Sequence, residues 1–274
     1  MTPFVWMFIK TYEKLREYII NNKSITSLIQ MEYSAFEEAT VPICSFVLQN
    51  CKSENNSLCF RLSEFKGGME VQKKKILEAL QNPDCGYFYE AQQSNYVKIP
   101  GSPIAYWLKN FEFFDFSCLY EQLQSGGRIK THDNNLYIRN WWEPEVISER
   151  WVPYANGGEY RKWYGNHFDV VDWSEDARIF YGSHSGLCKE VFWFKEGLTW
   201  GAITSGDNSY RVKPKQFMFS SASPTIFSRD FKCDLSVLAF LNSKVAKYIS
   251  RVINPTLNQN VNDTLRLPYS GFNN

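Results

Sequence analysis

From Arg128 to Phe227, Gly, Asn, Asp and Pro repeatedly interrupt short runs of aromatic and β-branched residues. That rhythm belongs to short strands joined by turns, and it leaves little room for long helices. The clearest strands by this reading are Tyr137–Trp142, Val170–Trp173, Val191–Phe194 and Phe217–Phe219. Aromatic residues make up 17% of the chain, with nine Trp, 16 Tyr and 21 Phe. A helical bundle needs fewer, so the aromatic content points to a β-rich domain or an aromatic-lined surface.

The ends of the chain read differently. Phe8, Tyr12, Leu15 and Ile19 recur at helical spacing, with Lys10, Glu13, Lys14, Arg16 and Glu17 mostly on other faces, and Asn21-Asn22 closes the helix. Short buried strands are expected at Ile25–Met31 and Val41–Leu48, separated by an acidic loop carrying Glu37 and Glu38. After a polar connector, Cys59–Phe65 reads as a strand, Gly67-Gly68 as a turn and Val71–Gln81 as a short helix. Near the C-terminus, Leu238, Leu241, Val245, Tyr248 and Val252 define one helix, N-capped by Asp234 and stopped by Pro255. Leu265–Tyr269 is expected to return as a strand or extended segment. The fold class is therefore α+β.

Charge and cysteine usage narrow the function. The formal net charge is +1, too low for a protein that grips nucleic acid only through phosphates, though compatible with a module that reads bases beside a more basic partner. Seven Cys stand at positions that form no CxxC pair and have no His at ligand spacing, which argues against structural zinc and a disulfide framework. Free thiols fit a reducing cytoplasm. The apolar start, Met1–Phe8, has no basic leader or cleavage site and runs at once into charge, so neither a signal peptide nor a membrane span is expected. His132, His167 and His184 pair with no nucleophile motif, and Asp169 and Asp172 near His167 match no common metal spacing.

Particular words in the sequence go further. Met1-Thr2-Pro3-Phe4-Val5-Trp6-Met7-Phe8, followed by Tyr12–Ile19, resembles the segment just after the catalytic strand of PglX-type adenine DNA methyltransferases, the methyltransferases of BREX phage-defence systems. The resemblance continues in order through Ile99–Trp107, Asp133-Asn134-Asn135 with Arg139, Trp141-Trp142-Glu143 and Trp151–Tyr154. It then runs through the long tract Gly157-Gly158-Glu159-Tyr160-Arg161-Lys162-Trp163-Tyr164-Gly165-Asn166, Gly197–Trp200, Leu241–Val245 and Asn254–Asn258. His132, Lys109 and Asn262 depart locally from the family pattern.

The resemblance implies a C-terminal part of such an enzyme, including its target-recognition domain. Residues 1–52 would be the last helix and edge strands of a Rossmann-like methyltransferase sheet, residues 53–100 a connector with a short helix, and residues 101–274 a β-rich DNA target-recognition domain closed by a helix. The family's Asn-Pro-Pro-Tyr/Phe active-site loop has no counterpart here: the Asn-Pro pairs at Asn82-Pro83 and Asn254-Pro255 lack the second Pro and the aromatic. A Gly-rich cofactor turn is missing too. The expectation is therefore a truncated or split product, inactive alone and binding no cofactor. The complete enzyme would use S-adenosylmethionine, and the catalytic half would lie on separate or missing polypeptide. Double-stranded DNA would be the ligand and no membrane would be involved. A split enzyme that becomes active with an N-terminal partner is the nearer alternative, and an aromatic-surfaced carbohydrate-binding module the remoter one.

Three segments supply candidate DNA contacts. Asn134, Asn135 and Arg139 carry base-reading side chains, although Asp133-Asn134-Asn135 equally suits a tight turn. Tyr160, Arg161, Lys162 and Tyr164 interleave charge with aromatics behind two Gly, as a loop on a phosphate backbone or a surface hairpin would. Arg211, Lys213 and Lys215 alternate along a strand after Asn208, which puts the cations on one face, either solvated or facing phosphate. Trp141, Trp142, Trp151 and Trp200 read as core and rim packing.

Overall fold

The computed structural model describes residues 1–33, 35, 41–144, 149–204, 206–269 and 271. The loop with Glu37 and Glu38 lies outside them. The chain divides into two compact units, Met1–Asp115 with Val252–Asn254, and Phe116–Arg251 with Pro255–Asn274. The α+β expectation holds, and among the described residues no helix is long and apolar enough to cross a membrane.

The first unit is built on a five-stranded sheet. Its strands are β1 (Thr2–Pro3), β2 (Ser24–Gln30), β3 (Ile43–Gln49), β4 (Ser57–Arg61) and β5 (Phe88–Ala91), in the order β1-β3-β2-β4-β5. The sheet is mixed: β2 pairs antiparallel with β3 and parallel with β4. Helices α1 (Glu13–Asn22) and α2 (Gly68–Gln81) accompany it. Trp6, Phe8, Leu28, Cys44, Cys59 and Tyr106 form the main core, and burial pushes the Cys59 thiol up to about 12.

The helix near the N-terminus corrects the sequence reading. Two 3₁₀ turns, Phe4–Met7 and Lys10–Tyr12, precede α1, so Phe8 and Tyr12 are not part of its face. Tyr12 and Leu15 are 40% and 44% exposed, while Arg16, Ile19 and Ile20 turn inward. Arg16 sets this phase. Its guanidinium donates to the carbonyls of Trp6, Ile9, Gly101 and Ser102, tying the helix to the Pro100–Pro103 turn. A charged group with that many acceptors orients a helix more strongly than two tyrosine-sized apolar surfaces do.

The second unit holds two four-stranded sheets. One contains β6 (Leu123–Ser125), β10 (Gly197–Thr199), β11 (Arg211–Lys213) and β13 (Thr225–Ser228), in the order β11-β10-β13-β6. The other contains β7 (Ile138–Asn140), β8 (Trp151–Ala155), β9 (Asp169–Asp172) and β12 (Met218–Phe219), in the order β12-β8-β9-β7. Both contribute to one aromatic core, where Phe219 of the second sheet meets Phe227 of the first at 5.5 Å between ring centroids. Short helices α3 (Asn134–Tyr137), α4 (Glu175–Ser183), α5 (Leu235–Leu241), α6 (Lys244–Ile253) and α7 (Val261–Leu265) complete the elements.

Several local expectations shift. The expected strand at Val191–Phe194 is a 3₁₀ turn, Glu190–Phe192, with Phe194 at φ 51°. The expected strand from Tyr137 is shortened by α3, which Asp133 caps by accepting from Leu136 N. Asp234 does cap α5, accepting from Ser236 N and Val237 N, but the single C-terminal helix is two. Asn242 ends the first: its amide accepts from Tyr210 N at 3.0 Å and donates to Tyr210 O at 2.9 Å. Ser243 then opens α6 by accepting from Ala246 N. The tail starts as α7, held by a reciprocal Asn260–Asp263 capping box, and Pro268 then bridges to Cys118.

Candidate nucleic-acid interface

One end of the sheet β12-β8-β9-β7 gathers the distinctive sequence. Strand β8 leaves the sheet at Ala155 and the chain re-enters at Asp169, opposite Tyr154. Between them, Gly157, Gly158, Trp163, Gly165 and Asn166 all have positive φ. The glycines answer a steric demand at two positions. A Cβ on Gly158 would stand 2.7 Å from the Asn166 side chain, and one on Gly165 would stand 2.2 Å from Arg161 Cδ. Trp163 and Asn166 hold left-handed backbone without that freedom, at roughly 1–3 kcal/mol each.

Bonds from within hold the loop in this shape. Arg211 Nη2 donates to Gly157 O at 2.7 Å, Asn166 Nδ2 to Glu159 O at 2.8 Å, and Arg161 N to Ser209 Oγ at 3.0 Å. Trp163 N donates to Tyr210 O and receives Val212 N at its own carbonyl, an extension of β11. Lys162 Nζ reaches Asn242 O at 2.8 Å. Tyr160, Arg161 and Tyr164 are left exposed on a loop anchored beneath them. Lys162 is half-buried and acts as one of the anchors.

Arg211 and Lys213 correct the expectation of an accessible cationic strand face. They do share a face, but it is the inner one, where Arg211 is 1% and Lys213 0% exposed. Burial lowers the Arg211 guanidinium and takes Lys213 down to about 7. Lys213 Nζ donates to Phe217 O at 2.6 Å and Pro214 O at 3.2 Å, and lies against the Phe219 and Phe227 rings. A cation so enclosed cannot meet a phosphate. Lys215 alone of the three is exposed. Beside them, His167 is packed between Tyr164 and Phe217, and burial with the Arg211 charge lowers its pKa.

A second feature adjoins the loop. A cleft of about 490 Å³ is lined by Lys130, Asn134, Asn135, Asn156, Ser220 and Ser221, among others. Asn134 and Asn135 are exposed at the start of α3, just after the Asp133 cap. Asn156 donates to Asp169 Oδ2 at 2.9 Å, and burial raises that carboxyl above its usual range. Arg139 is half-buried: Nη1 donates to Asn135 O and Ile138 O, and the guanidinium lies 5.7 Å from the Trp151 ring centre. Asn208 is half-buried, and its buried Oδ1 has no hydrogen-bond partner among the described residues.

Sequence reasoning missed Lys130, Asn156 and Ser220, which reach the cleft from three separate stretches. Asn156 carried a usable signal, because it immediately precedes the Gly157-Gly158 pair. Trp200 is buried as expected, but Trp141 and Trp142 are 51% and 59% exposed rather than packed. The arrangement offers amides, hydroxyls, cations and aromatic faces. Among the described residues no three metal-ligating side chains converge.

By sequence comparison, the chain matches adenine-specific methyltransferases over nearly its whole length. It is 33% identical to adenine-specific methyltransferase PglX of Lacticaseibacillus casei (strain Zhang), covering 98% of this chain and 24% of the relative. It is 29% identical to adenine-specific methyltransferase BrxX of Escherichia coli O9:H4 (strain HS), covering 96% of this chain and 23% of that protein. The chain belongs to the PglX-like adenine methyltransferase family as one part of such a protein, spanning about a quarter of the relatives' length. No family model matches. The type IIG restriction endonuclease BpuSI aligns over 92% of this chain and 36% of its own at 9% identity and a TM-score of 0.34, a likeness too slight to inform the fold.

Proposed function

We propose that the second unit is the DNA target-recognition portion of a site-specific adenine methyltransferase of a phage-defence or restriction-modification system. Methyl transfer from S-adenosylmethionine would belong to a catalytic part that lies outside the quarter of its relatives this chain matches. The observation that carries this reading is the braced loop Asn156–Phe168, with its exposed Tyr160, Arg161 and Tyr164, beside a polar cleft holding Asn134, Asn135 and Asn156. Arg161 and Lys130 meet phosphates, and Tyr160 and Tyr164 pack on sugar or base faces. Asn134 and Asn135 pair with the N6/N7 edge of adenine, and Arg139, whose Nε and Nη2 make no hydrogen bond among the described residues, meets a guanine edge. Asn208 contributes only through its amide nitrogen. Arg211, Lys213 and Lys162 act indirectly by fixing the loop.

The catalytic part would meet this chain on the first unit. Leu15, Tyr18, Val47, Leu77 and Leu80 are exposed apolar side chains there and are candidates for that contact. Titration of a labelled duplex by anisotropy at several salt concentrations tests the DNA reading. The reading expects measurable affinity, and a salt slope that falls by about 0.9 in Arg161→Ala. An unchanged slope removes Arg161 from the DNA surface.

A further inference from the structure

Two histidines that take no part in the contacts assigned above stand side by side in the second unit. His132 precedes the Asp133 cap of α3, and His184 follows the last residue of α4. Both are exposed, and their ring centres lie 5.4 Å apart with planes at 47°. The backbones that carry them are already joined. Lys130 N donates to Gly186 O at 2.8 Å, and Gly186 N donates to Tyr181 O at 2.7 Å. Gly186 also makes room for the pair: a Cβ there would stand 2.3 Å from Lys130 O and 2.8 Å from His132 Nε2.

The neighbours of His184 fix its tautomer. Its Nδ1 lies 2.9 Å from Phe180 O and 3.0 Å from Ser183 Oγ. Ser183 Oγ donates its own hydrogen to Phe180 O at 2.8 Å, so both oxygens can only accept from the ring. A neutral His184 therefore carries its hydrogen on Nδ1 and presents a bare lone pair on Nε2. A backbone carbonyl that holds one ring nitrogen while the other ligates is the usual support of a metal-bound histidine. The Phe180 ring, 4.3 Å away between centroids, packs against the imidazole. His132 makes no hydrogen bond through its ring among the described residues, so both of its nitrogens are open to a ligand.

The separation decides what the pair can share. A metal–nitrogen bond of about 2.0–2.1 Å puts each ring centre about 3.2 Å from the ion, and a tetrahedral angle then sets the two centres about 5.2 Å apart. The observed 5.4 Å matches that requirement. We propose that His132 and His184 together bind one divalent transition-metal ion of the zinc type, with water filling its remaining positions. The ion clamps the segment Lys130–Asp133, which lines the cleft, to the end of α4. Imidazole nitrogen suits Zn²⁺, Ni²⁺ and Cu²⁺, whereas Mg²⁺ and Ca²⁺ take oxygen. The site uses no DNA contact and stands or falls apart from the DNA reading.

Isothermal titration of the full, metal-free chain with Zn²⁺ is expected to show a saturable site of one ion per chain. His132→Ala and His184→Ala should each weaken it at least about tenfold. Cys51→Ser, which removes an exposed thiol, should leave it unchanged. At a hundredfold excess over the measured dissociation constant, Zn²⁺ should raise the wild-type melting temperature by about 5–10 °C, and the same concentration of Mg²⁺ should not. His132→Gly suits the left-handed backbone that His132 holds at φ 63°. It should melt as a folded protein without metal and lose the rise with Zn²⁺, which separates a missing ligand from a damaged fold. Binding that survives in both histidine variants, or falls only in Cys51→Ser, assigns the ion to other side chains and overturns the site. The absence of saturable binding to the wild type overturns it as well.

Discussion

Replacing Arg211 by Ala separates a brace from a phosphate contact. The guanidinium is buried, donates to Gly157 O at 2.7 Å and approaches Ser223 Oγ at 3.4 Å, while its buried Nη1 has no partner among the described residues. Losing a hydrogen bond from a charged donor costs about 1.5–3 kcal/mol. Losing the packed stem adds about 1–2 kcal/mol, and relief from a buried, incompletely satisfied charge returns a similar amount. The net is a loss of about 2 kcal/mol, which for a chain of this size lowers the melting temperature by about 4–8 °C. Once released from Arg211, the Gly157-Gly158 turn loosens, and affinity for every duplex falls together. The salt slope, which counts phosphates touched, stays within about 0.3 of wild type. Calorimetric melting and a salt series on the same preparations measure both quantities. An unchanged melting temperature with a slope reduced by about 1 would put Arg211 on the DNA and refute the buried brace.

Two further outcomes follow from the same region. Gly165→Ala places a Cβ where Arg161 Cδ now lies, on a backbone at φ 123°, so about 1–3 kcal/mol of strain should appear as a lower melting temperature and weaker duplex binding; wild-type values for both would mean that the loop is freely adjustable. Lys213 titrates near 7 when folded and near 10.5 as an ordinary lysine. The unfolded chain therefore holds more protons between those values, and the stability difference is saturated below about 7. Its contribution should make stability rise with pH from about 7 toward 10, and Lys213→Met should flatten that rise. Melting curves across pH 6.5–9.5 in which the variant climbs as steeply as wild type would show that another group is responsible.

What could be read in the sequence was mostly local. The helix expected at Val71–Gln81 and the Asp234 cap need only nearby residues, and both are present, the helix starting earlier at Gly68. The glycine doublet before an interleaved charged and aromatic tract marked the loop correctly, because backbone freedom is a property of the residue itself. Alternation placed Arg211 and Lys213 on one face of a strand, as found. Period two does not say whether that face looks toward water, and the aromatic core of Phe219 and Phe227 decided it. The helix break at Asn242 depends on its bonds to Tyr210, 32 positions away, and no helical periodicity contains them. Arg16 likewise turned α1 through carbonyls as distant as Gly101. The cleft could not be seen at all, since Lys130, Asn156 and Ser220 meet only after the strands pair. The family, by contrast, was carried by words rather than patterns, and the 33% identity to PglX bears it out.

The central claim is that DNA lies on the sheet end formed by the loop Asn156–Phe168 and the Lys130–Asn135 cleft. Hydrogen–deuterium exchange of the full chain, with and without a saturating duplex, tests it directly. Peptides covering residues 129–136 and 156–168 should slow their exchange when DNA is added. Peptides covering α2 should not change. Protection confined to α2, or absent from the loop while anisotropy shows the duplex bound, would place DNA elsewhere and contradict the account.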